Sequence, residues 1–299
     1  MNDKTTKKLF EGVATALITP FKSIAVDLDV WRRLIEQQLR AGVSALVVAG
    51  TTGEAPTLSD GERDMLLVEA VKRAKGKVPV IMGCGSNDTS HAIYYAKHAE
   101  ELGADAILLV TPYYNKGTRE GLRTHFLYVA DSVEIPIILY NVPGRTCVDL
   151  SLEDYEVLCA HPNIKGIKEA SGSIEKMAGL CHAFRDRIGI YTGNDSMLLP
   201  SLALGADGVI SVTSNLFPER VRRICRRFAE GDVLGAQKEA YAILRINELL
   251  FAETSPAPVK YAMSRLGFGD GEVRLPLSLP SEALQRALCR EISFLSGEL

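Results

Sequence analysis

Most of the features that announce a membrane, nucleic-acid, disulfide-stapled or metal-binding protein are missing from this 299-residue chain. With 34 basic against 37 acidic side chains the formal net charge is −3, which makes no field for holding nucleic acid or an anionic membrane. No window holds the ~20 uncharged apolar residues that a membrane span needs. The N-terminal stretch "MNDKTTKKLF" is polar and has no apolar signal core, so export is not expected. Six cysteines stand singly (Cys84, Cys147, Cys159, Cys181, Cys225 and Cys289), with no Cys-x-x-Cys pair. They read as reduced thiols in a cytoplasmic protein rather than as a disulfide framework. The histidines do not cluster either. His91 and His98 share one expected helix, and no metal site is expected there. The dinucleotide fingerprint G-x-G-x-x-G is absent; "GCGSND" (83–88) has only two of its glycines and comes too late in the chain.

What is present has a rhythm. "AGVSALVVAG" (41–50), "LGADAILLVT" (102–111) and "LGADGVISVT" (204–213) echo one another. In each, a helix-like segment closes at a glycine (Gly42, Gly103, Gly205), and a β-branched apolar run follows. Glycine suits the left-handed residue that ends a helix, and such a run suits a strand buried on both faces. Five more runs fill the gaps: 12–19, 78–83, 135–141, 163–168 and 188–193. Amphipathic stretches lie between most of them. The one at 61–76 opens with Ser59 and Glu62 at capping-box spacing. Eight strands alternating with helices imply parallel pairing and an α/β fold, a closed (β/α)8 TIM barrel, with an open doubly wound sheet as the alternative.

After about residue 216 the strand signals stop. The segments 217–232, 233–253, 256–267 and 280–297 look helical. The first holds five arginines, but Val221, Ile224, Cys225 and Phe228 make an apolar stripe, leaving the arginines as a solvated face. The expected organisation is a barrel over 1–225 carrying the site, with a helical region over 226–299 packed on it.

Chemistry on such a barrel sits at the carboxyl ends of the strands. Those ends read "GTTGEAP" (50–56), "TPYYNKG" (111–117), "YNVPGRT" (140–146), "KEASG" (168–172), "TGND" (192–195) and "ISVTSN" (210–215). They offer hydroxyls, phenols, one arginine and one lysine, but no carboxylate pair and no Ser–His couple. Lys168 stands inside an apolar run, "NIKGIKEASG" (163–172), where burying an ammonium costs several kcal/mol. A lysine kept from water gives up its proton more readily, and its amine then attacks a carbonyl carbon. Tyrosines and threonines pass protons to and from the resulting imine without adding a fixed charge. Such chemistry needs no metal or bound cofactor. Plainer roles stay open for each piece: Lys168 as a surface lysine or an ion-pair partner of Glu169, "GTTGEAP" as turn chemistry, Tyr140 as core and Arg145 as rim.

"GTTGEAPTL", "VTPYYNKGTREGLRTHF", "YNVPGRT", "GIKEASG" and "LGADGVISV", in this order, resemble the dihydrodipicolinate synthase / N-acetylneuraminate lyase family of class I aldolases. The resemblance extends to the late "PAPVKYAMSRLG". It implies a lyase that forms an imine with pyruvate and condenses it with L-aspartate 4-semialdehyde to give 4-hydroxy-tetrahydrodipicolinate, on the route to diaminopimelate and lysine. By motif, Lys168 forms the imine, Tyr140 gives and takes the proton, and Thr51 and Tyr114 continue a proton relay. In family members the tyrosine matching Tyr114 reaches into a neighbouring subunit's site. Thr52 and the backbone at Ile210 are expected to hold pyruvate, Gly193 to line the pocket, and Arg145 to meet the semialdehyde carboxylate. A homotetramer, a dimer of dimers, is also implied.

Two departures stand out. Cys147 follows "PGRT" where the family usually has glycine. His91 and Arg63 stand where lysine-inhibited relatives have glutamate and histidine, so weak or absent lysine inhibition is expected. The "GTTGE" stretch and the arginine of "PGRT" favour the synthase over the rival of the same family, an aldolase acting on N-acetylneuraminate or a 2-keto-3-deoxy sugar acid. A non-catalytic barrel that binds keto acids is the rival from another class.

Overall fold

Eight buried apolar runs, each too short for a helix and each preceded by a helix-closing residue or loop, fold as strands. They are β1 (Gly12–Ala16), β2 (Ala45–Val48), β3 (Val80–Gly83), β4 (Ala106–Val110), β5 (Ile137–Asn141), β6 (Ile164–Glu169), β7 (Gly189–Thr192) and β8 (Gly208–Ser211). The computed structural model, which describes residues 8–297, closes them into a barrel in the order β1-β8-β7-β6-β5-β4-β3-β2. Every neighbouring pair is parallel. The (β/α)8 expectation holds, and the open sheet does not.

A helix follows each strand. The first four are α1 (Leu28–Ala41), α2 (Asp60–Ala74), α3 (Thr89–Glu101) and α4 (Arg119–Ala130). The next four are α5 (Leu152–Leu158), α6 (Ile174–Phe184), α7 (Leu198–Leu204) and α8 (Pro218–Ala229). The three repeated glycines adopt the left-handed conformation expected of them, with φ of 72° at Gly42, 88° at Gly103 and 98° at Gly205. The capping box of α2 is formed: Ser59 Oγ accepts from the Glu62 amide at 3.4 Å, and Glu62 Oε2 accepts from the Ser59 amide at 2.9 Å. A second box, Ser151 with Asp154, starts α5. On α8 the apolar stripe is buried at Val221, Ile224 and Cys225, while the arginines face outward and pair with Glu239, Asp232 and Glu230.

Four more helices follow: α9 (Val233–Ala242), α10 (Leu244–Phe251), α11 (Ala257–Arg265) and α12 (Glu282–Ser296). The stretch 233–253, expected as one helix, is two. The chain breaks at Ile243 (φ −107°, ψ 6°), whose side chain is 1% exposed, so the break turns an apolar residue into the core. The boundary expected at 225/226 falls inside α8. Among the described residues no helix is long and apolar enough to cross a membrane.

Two apolar layers fill the molecule. One lies between strands and helices. The other lies inside the barrel, where small residues on β1 and β2 (Ala14, Ala16, Ala45) face Tyr140 and Tyr191. Phe10 plugs the bottom, stacked on Tyr191 at 4.1 Å, and its carbonyl accepts the Tyr191 hydroxyl at 2.9 Å.

The C-terminal segment also braces the first turn of α2. Arg274 donates to Glu62 and holds its carboxyl at about 2, down from 4.5, with the Ser59 amide adding to the effect. A carboxylate held low in the folded state contributes stability above its unfolded value and loses it as pH falls through the folded one. Glu62→Gln is expected to lower the melting temperature at neutral pH, and the gap to wild type should close as pH drops from 4.5 toward 2. A gap that stays constant over that range would contradict the Arg274 pairing.

Candidate functional site

The pairing of β5 with β6 sets the centre of the site. The register runs Ile137 to Ile164 and then Ile138 to Gly166, so Lys165 is an extra residue, a bulge. Beyond it Tyr140 lies abreast of Lys168, and Asn141 abreast of Glu169. Neighbouring side chains on a strand point to opposite faces. Tyr140 belongs to the barrel interior, and Lys168 Nζ sits 4.1 Å from its ring centroid. Glu169 points the other way. It accepts from Asn141 Nδ2 at 3.1 Å and from the Ser171 amide at 2.7 Å, and pairs with Lys176 at 3.6 Å. The reading of Lys168 as a partner of Glu169 is thereby excluded.

Lys168 is 6% exposed, and among the described residues no carboxylate pairs with it. A charged amine in that place lies against the π face of Tyr140. Its stem runs over Gly193, just past the end of β7. A Cβ there would lie 2.8 Å from Lys168 Cε and 2.7 Å from the Ala170 Cβ, so only glycine leaves the amine its path. Behind β8, the buried Asp195 accepts from the Ser211 hydroxyl and from the amides of Val212 (2.9 Å) and Thr213 (3.2 Å). Burial pushes its carboxyl up, against those hydrogen bonds and the charge of Lys168.

Beside Tyr140 opens a cavity of about 450 Å³, which Thr51 and Arg145 also line. Thr52, next to Thr51, is 5% exposed, and Ile210 packs in the same interior layer as Tyr140. Arg145 sits on a single helical turn, Pro143–Thr146, and its Nη2 donates to the Ser255 carbonyl at 3.0 Å. Lys168, Tyr140, Gly193, Thr51, Thr52, Arg145 and Ile210 thus collect at one end of the barrel.

Tyr114 does not join them. It is 92% exposed with φ of +72°, an uncommon conformation for a residue with a side chain, and within this chain it reaches no other expected site residue. Its neighbour Tyr113 lines the cavity instead. Cys147 is exposed with φ of +56°, the conformation a glycine would take without strain.

Farther along the cavity Arg63 is 6% exposed. It donates to the Gly83 carbonyl and lies 4.3 Å over the Tyr95 ring, and among the described residues it has no carboxylate partner. His91 shares that wall. No group of three His, Cys, Asp or Glu among the described residues is placed to hold a metal.

Two polar residues escaped the sequence reading. Glu54, in "GTTGE", and Lys260, in "PAPVKYAM", form an ion pair in which each side chain is 1% exposed. Burial pulls the Lys260 ammonium down to about 8, although Glu54 acts in the opposite direction. The available signal was a lysine set among the buried residues Ala257, Pro258, Val259, Ala262 and Met263 of α11.

A closed parallel barrel here holds a buried lysine amine against a tyrosine ring at the carboxyl ends of its strands. That is the class of barrel aldolases working through a lysine imine. The chain belongs to the dihydrodipicolinate synthetase family, whose model matches residues 9–294. It is 46% identical to the 4-hydroxy-tetrahydrodipicolinate synthase of Exiguobacterium sibiricum, over 92% of this chain and 94% of that one. Its fold matches the crystal structure of the dihydrodipicolinate synthase of Thermotoga maritima with a TM-score of 0.94, at 40% identity over 97% of this chain and 100% of that one. The chloride-inhibited dihydrodipicolinate synthase of Acinetobacter baumannii, crystallised with pyruvate, matches with a TM-score of 0.93, at 40% identity over 97% of this chain and 99% of that one.

Gly193→Ala tests the packing directly. Its methyl is expected to drive the Lys168 stem away from the Tyr140 ring while the barrel stays closed. A crystal structure of the variant with the amine still 4.1 Å from the ring centroid would contradict this.

Proposed function

We propose that this protein is a 4-hydroxy-tetrahydrodipicolinate synthase, a Schiff-base lyase that condenses pyruvate with L-aspartate 4-semialdehyde in diaminopimelate and lysine biosynthesis. The observation that carries the reading is the buried Lys168 amine held against Tyr140 at the open end of the barrel. Family membership and the match over nearly the whole chain support it.

In this reading the unprotonated Lys168 amine attacks C2 of pyruvate. Tyr140 protonates the departing hydroxyl as water, leaving an imine, and then takes a proton from C3 to give the enamine. The enamine carbon attacks the aldehyde carbon of the semialdehyde, whose new alkoxide is protonated through Thr51. The amino group of that substrate then adds to the imine carbon and expels Lys168, closing the ring. Thr52, Gly193 and Ile210 hold the pyruvate end, and Arg145, fixed by the Ser255 carbonyl, holds the semialdehyde carboxylate.

Tyr114 completes the relay from another copy. That its phenol is 92% exposed and meets no other expected site residue of its own chain supports this reading, and with it a homotetramer built from paired dimers. The work is cytoplasmic, in keeping with six unpaired cysteines.

Lysine regulation is weak or absent. A free lysine brings an ammonium group, and the unneutralised guanidinium of Arg63 on the cavity wall repels it.

Two measurements follow. With pyruvate and the semialdehyde, Lys168→Ala should fold as the wild type does and lose activity by at least about a thousandfold. Turnover of the wild type only with a sugar-derived aldehyde would overturn the reading. Added lysine should leave the rate unchanged; strong inhibition at sub-millimolar concentration would contradict the role given to Arg63.

A further inference from the structure

We propose that Glu54 and Lys260 are positioning residues for the reaction: their buried pair lets the C-terminal helices hold the Thr51–Thr52 loop in register with Lys168 and Tyr140. The inference rests on the proposed function. The loop after β2 turns sharply, and Glu54 takes it through φ +54°, an uncommon conformation for a residue with a side chain. That conformation persists because the residue is held from several sides. One carboxylate oxygen of Glu54 accepts from Lys260, and the other accepts from the Arg274 amide at 3.0 Å. Its own carbonyl accepts from the Thr57 hydroxyl at 3.1 Å, and the Gly53 carbonyl accepts from the Thr19 hydroxyl at 2.7 Å. Lys260 in turn lies 3.8 Å over the Phe21 ring, with Arg274 4.2 Å over the same ring.

A buried ion pair adds little net stability over apolar residues of the same volume. What it does supply is direction. Glu54 is two residues from Thr52 and three from Thr51, so a shift of the carboxylate is passed to both threonines through the backbone. The same segment fixes Arg145 through the Ser255 carbonyl. One stretch of chain, 255–274, thus touches the loops of two proposed site elements.

The test is the charge-free double variant Glu54→Gln/Lys260→Met, alone and combined with Thr51→Val. The double variant should melt within a few degrees of wild type while kcat falls on the order of tenfold to a hundredfold, the size of effect a displaced catalytic group produces. In the Thr51→Val background the double variant should cause a clearly smaller loss than in wild type, because part of its effect acts through that hydroxyl. Wild-type kcat in the folded double variant, or losses that multiply, would overturn the proposal. Should the double variant not fold, Glu54→Asp keeps both charges and shortens the reach, and the same non-additivity with Thr51→Val decides. Borohydride with pyruvate keeps the two readings apart. A wild type that forms no reducible adduct at Lys168 defeats the proposed function, whereas a trapped wild type with an unimpaired double variant defeats only this inference.

Discussion

One extra residue in β6 governs the chemistry of this molecule. Without the bulge at Lys165, Ile167 would lie abreast of Tyr140, and Lys168 abreast of Asn141. A one-residue shift exchanges the two faces of a strand. Lys168 would then turn toward the helix layer, where Glu169 now bonds Asn141 and pairs with Lys176. The bulge turns the amine inward and the carboxylate outward. It thereby denies the lysine its nearest anionic partner and leaves it a phenol instead. Burying an ammonium with no carboxylate bonded to it is unfavourable, and here it is a phenol ring that meets the amine.

The remaining elements serve that placement. The Phe10–Tyr191 stack fills the floor of the barrel, opposite the carboxyl ends of the strands. Gly193 leaves the stem of the lysine its path. The chain after α8 is not a passive cover: Lys260 of α11 reaches Glu54, and the Ser255 carbonyl between α10 and α11 reaches Arg145. Arg63 gives the far wall of the same cavity a positive charge.

The sequence was most legible where structure is local. Glycine-closed helices, β-branched runs and the Ser59–Glu62 box each depend on a few adjacent residues, and they appear as expected. Lys168, Tyr140, Thr51 and Arg145 were legible because strand ends on a barrel converge, whatever the distance between them along the chain. The bulge was not legible, because "NIKGIK" fits either register equally well. Nor was the Glu54–Lys260 pair, whose members stand 206 residues apart. The break at Ile243 carries no glycine or proline to mark it and follows from tertiary burial alone. Tyr114 shows the opposite case: its motif was plain, but its phenol is exposed and meets no other expected site residue of this chain.

The most direct test is a crystal structure of the protein soaked with pyruvate. Continuous density from Lys168 Nζ to C2 of the keto acid, with the Tyr140 hydroxyl within hydrogen-bond reach of that carbon's substituents, is the predicted result. Pyruvate bound elsewhere, or held beside an unmodified Lys168 that has swung into solvent, would contradict it.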